Sequence, residues 1–197
     1  MFAELRTSLR PALVVLMALT FITGIAYPLA MTGVAQIVLP YQANGSLIRE
    51  RDRLVGSDLI GQGFASAGYF HGRPSAAGKD GYDAGASAAT NLAPGSKDLR
   101  DAVAGRVEAL RKDGLTGAVP PDLVTTSASG LDPHISPEAA LSQVGRVALA
   151  RKLDAGALRR LVAHNTQSPL LGFLGEPRVN VLELNRQLDR MGAAPIK

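Results

Sequence analysis

PALVVLMALTFITGIAYPLAMTGVAQIVLP, residues 11–40, holds no charged side chain, and the first charge after Arg10 is Arg49. A bilayer core about 30 Å thick is crossed by roughly 20 apolar residues in a helix. Pro11 to Val34 supplies such a run, with a few Thr and Gly residues that membrane helices tolerate. No second run of that kind follows. The expected architecture is one N-terminal transmembrane helix followed by a single small α+β soluble domain. Residues 1–36 form the tail and span, and residues 37–197 the domain.

The apolar run is longer than the roughly 7–15 residues of a signal-peptide core, so it reads as an uncleaved anchor. Arg6 and Arg10 lie close before it. Arg49, Arg51 and Arg53 follow at a distance. Basic residues near a span favour the cytoplasmic side, which predicts a cytoplasmic N-terminus and a periplasmic domain. Within the span, Thr20 and Gly24 form a small-xxx-small pair that lets a partner helix approach, while Pro28 removes a backbone hydrogen bond and predicts a kink. A plain anchor remains the alternative.

The net charge is +4, but the arginines are scattered among acids, and there is no Trp to stack on a base. That pattern argues against a nucleic-acid groove. The absence of Cys excludes disulfides, thiolate metal sites and a Cys nucleophile. With aromatics at 5%, the core must lean on Leu, Val and Ala.

Residues 36–62 read as a loop passing into short strands at Leu47-Ile48 and Leu54-Val55. Residues 61–96 are rich in Gly, Ala, Ser and Pro, and Tyr69, Phe70 and Tyr82 predict that this region is packed. Four helices follow from their capping signals. Ser96 opens one carrying Leu99, Val103, Val107 and Leu110, closing at Gly114. Ser136-Pro137 opens another, with Leu141, Val144 and Ala148 on its apolar face. Asp154 opens a third with Leu158, Leu161 and Val162. Asn180 and Glu183 resemble a capping box before the stripe Val181, Leu184, Leu188, Met191. Strands are expected at Asp122–Thr126 and around Arg178-Val179.

GRPSAAGKD, residues 72–80, imitates a phosphate-binding loop but fails it. Five residues separate Gly72 from Gly78, and Asp80 stands where Ser or Thr must follow the lysine. In SASGLDPHIS, residues 127–136, Ser129 lacks the nucleophile-elbow glycines, and Asp132 and His134 are too close in sequence to converge from separate elements. A turn and a capped helix explain part of that loop, with Gly130 accounted for if its backbone needs positive φ. Its density of polar side chains leaves a recognition loop open. His71, His134 and His164 lack metal-ligand spacing. Asn44-Gly45-Ser46 matches a glycosylation sequon, as many chains do by chance. No constellation here supports catalysis, and the residues read as a membrane-anchored binding or assembly module.

QANGSLI (42–48), GSDLIGQ (56–62), GYFHGRPSA (68–76), VPPDLVTTSASGLDPHIS (119–136), QVGRVALAR (143–151) and VNVLELN (179–185), in this order, resemble the C subunit of the bacterial potassium-transporting Kdp P-type ATPase. The resemblance runs from the membrane helix almost to the end of the chain. It departs at Ala93, where glycine is the commoner residue.

The resemblance implies a non-catalytic accessory subunit that needs no cofactor of its own. Its implied partners are a channel-like potassium-translocating subunit, a P-type ATP-hydrolysing subunit, a small single-helix subunit and membrane lipid. It also implies a catalytic chaperone that raises the ATP affinity of the hydrolysing subunit. The chain agrees in lacking an Asp-Lys-Thr-Gly phosphorylation motif and a TVGYG-type filter. A periplasmic domain and direct contact with cytoplasmic ATP exclude each other in the intact complex. If nucleotide does bind, Gln143 with Ser127, Ser129 and Ser136 are the candidates, because they are polar and flank a helix N-terminus. Two other classes stay open: an anchored periplasmic solute-binding module and an anchored periplasmic hydrolase.

Overall fold

The computed structural model describes residues 2–50, 52–169 and 171–191; Arg51, one of the arginines flanking the span, lies outside them. The chain divides into two compact units, the first ending at Leu47 and the second beginning at Ile48.

The first unit is helical. Helix α1 spans Phe2–Phe21, a π turn covers Ile22–Ala26, and α2 spans Tyr27–Val38. The stretch Arg6–Val38 is long and apolar enough to cross a membrane, and none of it is buried within the chain. Just after the π turn, Pro28 enters at the start of α2 with no N–H to give. Its ring would crowd the carbonyl four residues back, at Gly24, and a wider turn relieves the crowding. The helical path runs further than the sequence pattern indicates, because a short helix α3, Pro40–Ala43, continues it. Asn44 closes that turn by donating its side-chain amide to the Pro40 carbonyl at 2.7 Å.

The second unit opens with a two-stranded sheet, β1 (Leu47–Glu50) and β2 (Arg53–Ser57). A long irregular stretch leads to α4, Lys97–Lys112. Then come β3 (His134–Ile135), α5 (Pro137–Arg151), α6 (Ala155–His164), β4 (Thr166–Gln167), β5 (Arg178–Asn180) and α7 (Val181–Arg190). Strand β5 is central, pairing antiparallel with β3 through Ile135↔Val179 and with β4 through Thr166↔Val179. The order is therefore β3-β5-β4, and the α+β expectation holds.

The helix starts stand where the capping residues put them. Ser96, Ser136, Asp154 and Asn180 each accept the N–H three residues on, from Leu99, Ala139, Ala157 and Glu183. Each such cap is worth about 1 kcal/mol. Val144, Val147, Leu158, Val162, Val179, Leu184 and Leu188 close the core around one aromatic, Phe70, which is fully buried. Ala139 and Ala140 are also fully buried, so α5 lies close to its neighbours at its start.

Two expectations are corrected. Asp122–Thr126 is not a strand. A 3-10 turn occupies Pro121–Leu123, and both the N–H and the hydroxyl of Thr125 return to the Pro121 carbonyl, at 2.9 and 2.8 Å. Pro120-Pro121 presets the turn, and no neighbouring strand rewards the β-branched residues after it. Leu141 does not face the core; it is 45% exposed, and the inward face of α5 runs through Ala140, Gln143, Val144, Val147 and Arg151.

Candidate functional site

The backbone from Ala67 to His71 passes between α5 and α7 without joining any strand. Side chains take the place of a strand partner. Asn185, on α7, accepts the Phe70 N–H through Oδ1 and donates Nδ2 to the Phe70 carbonyl, both at 2.9 Å. Gln143, on α5, does the same for the next residue: Oε1 accepts the His71 N–H at 2.8 Å and Nε2 donates to the His71 carbonyl at 3.0 Å. One turn along, Arg146 donates to the carbonyls of Ala67 and Tyr69. Arg151 donates Nε to the Gly68 carbonyl at 2.6 Å, pairs with Asp189 at 2.7 Å and lies over the Tyr69 ring. Buried backbone groups must be paired, and these four side chains meet that demand.

His71, at the end of this clamped segment, lines a groove of about 970 Å³ together with Gly72 and Arg73. Arg73, Gln143, Arg146 and Arg159, with Asp80 and Asp113, give it a polar, mixed-charge side, and Leu110, Leu115, Leu141 and Leu149 an apolar one. Burial holds the His71 imidazole below its usual pKa, and the nearby Arg146 charge adds to that effect against a smaller pull from Asp113. Nε2 of His71 lies 3.0 Å from the Ser66 carbonyl, so the neutral ring is held as a donor. Burial also pushes the Tyr82 phenol up to about 12. Its hydroxyl donates to the Arg73 carbonyl.

Of the four nucleotide candidates, Gln143 alone lines the groove. Its amide is engaged at both ends, since Arg146 also donates to Oε1. Ser136 is the cap of α5. The Ser129 hydroxyl accepts the Leu131 N–H and lies 3.5 Å from that of Ser127. No hydrogen bond joins Ser129 to His134 among the described residues; His134 lies against Asp132 instead.

The density of polar groups in residues 127–136 now has a structural account. The Gly130 carbonyl accepts from the Ser75 hydroxyl at 2.6 Å, the Leu131 carbonyl from the Gly61 N–H at 2.7 Å, and the Ser129 carbonyl from Ser87 and Ala88. The loop is the spine on which the irregular stretch is hung. Arg73 reaches both Asp122 and Asp132, and Asp122 accepts the Ser136 N–H. Burial alone would raise the Asp132 carboxyl, but hydrogen bonds from His134, with the His134 and Arg73 charges, hold it below the usual carboxylate range. GRPSAAGKD belongs to the same scaffold: Ser75 accepts the N–H groups of Ala77 and Tyr82, and Gly78 turns at φ +70°.

Sequence reasoning missed Asn185, Arg146 and Arg151. A signal existed for two of them. Asn185 and Arg151 are polar residues at buried positions of their helices, and a buried polar group demands a partner.

In the span, no neighbouring atom lies within 4 Å of a side chain built at Gly24, and the Thr23 hydroxyl is turned back to the Leu19 carbonyl at 2.7 Å. The described residues thus comprise one helix long and apolar enough to cross a membrane and an α+β domain whose polar residues hold its own loops. The family model of KdpC, the c chain of the K+-transporting ATPase, matches residues 9–190. The KdpC subunit of the potassium-transporting ATPase of Gemmatimonas aurantiaca is 56% identical over 186 residues, 94% of each chain. That of Polaromonas naphthalenivorans is 55% identical over 189 residues, covering 95% of this chain and 96% of the relative. The KdpC subunit of Nitratidesulfovibrio vulgaris is 52% identical over 187 residues, 94% and 95% of the two chains. The chain belongs to the KdpC family and is an accessory subunit of the potassium transport complex.

Proposed function

We propose that this subunit is non-catalytic and stabilises the assembled complex from the outer side of the membrane. Its partners on this reading are the potassium-translocating channel-like subunit, the ATP-hydrolysing P-type subunit and the small single-helix subunit. One observation carries the reading: Gln143, the best-placed polar side chain of the groove, has its amide committed to the His71 backbone. A residue so engaged supports a rigid scaffold better than a reacting site. Any effect on ATP affinity then passes through contact between subunits, and no resident cofactor is required.

The topology is tested by C-terminal fusions. Alkaline phosphatase should be active and a green fluorescent protein fusion dark; the reverse pattern would sink the outer placement and revive direct ATP contact. The purified chain alone should release phosphate from ATP at background rate. Turnover lost on Lys79→Ala would mean that residues 72–80 hold phosphate after all.

The groove favours a second reading, a membrane-anchored periplasmic solute-binding module. Arg73, Arg146 and Arg159 line it beside Asp80 and Asp113, a mixed polar wall that suits a small polar solute. Calorimetric titration of the full chain with ATP, and separately with potassium chloride, decides between the readings. Saturable heat favours solute binding.

A further inference from the structure

Thr23 and Gly24 stand near the middle of the uncharged run 11–40. In a span they lie deep in hydrocarbon, out of reach of water. The backbone is short of a donor at this point. In the π turn the Ile22 carbonyl takes the Tyr27 N–H, five residues on. In an α-helix that N–H would go to the Thr23 carbonyl. In the π register the Thr23 carbonyl would turn to residue 28, which is a proline and has no N–H. Both registers therefore pass it over. Gly24 loses its α-register donor to the same proline. The Thr23 hydroxyl does not repair the gap, because it donates to the Leu19 carbonyl at 2.7 Å. Among the described residues no side-chain hydrogen bond reaches the Thr23 carbonyl. Gly24 leaves the backbone bare beside it, and a side chain built there meets nothing within 4 Å.

We propose that the Thr23 carbonyl accepts a hydrogen bond from a polar side chain on a membrane helix of a neighbouring subunit of the potassium transport complex. The carbonyl itself selects that occupant. Lipid tails carry no donor, and a backbone carbonyl left unpaired in hydrocarbon is costly enough that neighbouring helices are recruited to pair it. A second copy of this helix is a poor source. Near this level it brings only threonine hydroxyls, which turn back to carbonyls of their own helix, as that of Thr23 does. The proposal rests on the span and on assembly with the transport subunits, and it names the group that the partner must bring.

Threonine labelled with 13C at the carbonyl, together with 15N-glycine, selects the three Thr-Gly bonds of the chain, 23–24, 32–33 and 116–117. Thr32→Ser and Thr116→Ser each delete one signal and so assign the third. Thr32 lies within α2 and serves as the hydrogen-bonded standard. A carbonyl carbon moves downfield when its oxygen accepts a hydrogen bond. In solid-state NMR of the full chain alone in phospholipid vesicles, the Thr23 signal should lie upfield of Thr32. Co-reconstitution with the unlabelled transport subunits should move Thr23 downfield to the Thr32 position and leave Thr32 in place. Pro28→Ala returns the missing N–H, so in that variant Thr23 should sit at the Thr32 position with or without partners. A Thr23 signal that stays put in the assembled complex overturns the proposal, while assembly, read by co-purification, still stands. A signal already at the Thr32 position in the chain alone also overturns it, since the helix itself or a second copy then supplies the donor. A chain that fails to join the subunits sinks the assembly reading and this proposal with it.

Discussion

Asn185 and Phe70, far apart in sequence, share two hydrogen bonds: the amide of Asn185 takes both the N–H and the carbonyl of Phe70 at 2.9 Å. The side chain of Phe70 is at the same time a fully buried member of the core cluster. One backbone position is thus fixed by polar and apolar contacts together, and a segment without secondary structure becomes as well placed as a strand.

Asn185→Leu keeps the size of the side chain and leaves both Phe70 backbone groups unpaired in the interior. The expected loss is about 2–3 kcal/mol of unfolding free energy. Denaturant unfolding of the full chain in detergent, followed by circular dichroism, reads it. A loss below 0.5 kcal/mol, the scale of an ordinary surface substitution at about that value, would mean that the clamp is incidental.

Gly130→Ala meets two obstacles. The position has φ +67°, and an added Cβ would lie 2.7 Å from the Ala88 carbonyl oxygen and 2.8 Å from the Ala77 nitrogen. Both are backbone atoms, so neither can rotate away. Strain of this kind costs about 1–3 kcal/mol. Gly114, at φ +88°, has open space around it, so Gly114→Ala should cost less in the same measurement. Equal losses at the two glycines would remove the steric part of the argument.

Acid should weaken the domain through His71. Its folded pKa lies below the ordinary value of about 6.5, so the unfolded chain binds the proton more readily. The stabilising effect is complete above about pH 6.5 and fades as pH falls toward the folded pKa. Melting temperatures at pH 7.5 and 5.5 should fall for the native chain and fall less for His71→Gln. The same drop in both would assign the acid sensitivity to other groups.

Gly24→Leu tests the span as an assembly surface. The site is open, and Thr20 lies one turn before it on a similar face. A large side chain should keep the protein in the membrane yet weaken packing against a neighbouring subunit by about 1–2 kcal/mol, the scale of overpacking. Co-purification with the transport subunits in detergent reads the loss. Unchanged recovery would make this face lipid-facing.

The sequence by itself determined the long apolar N-terminal helix, the α+β class and the four helix starts. Each of these is decided within a few residues: a cap reaches three positions along the chain, and an apolar run needs no partner to be recognised. Tertiary structure alone decided how Gln143 and Asn185 are used, that Asp122–Thr126 turns where its β-branched residues suggest a strand, and that the polar loop 127–136 is a spine for the irregular stretch. Those outcomes depend on backbone groups brought together across 72 and 115 positions of chain. A buried amide shows in sequence only as a polar residue on an apolar face. Which N–H and carbonyl it must satisfy is set when the helices pack.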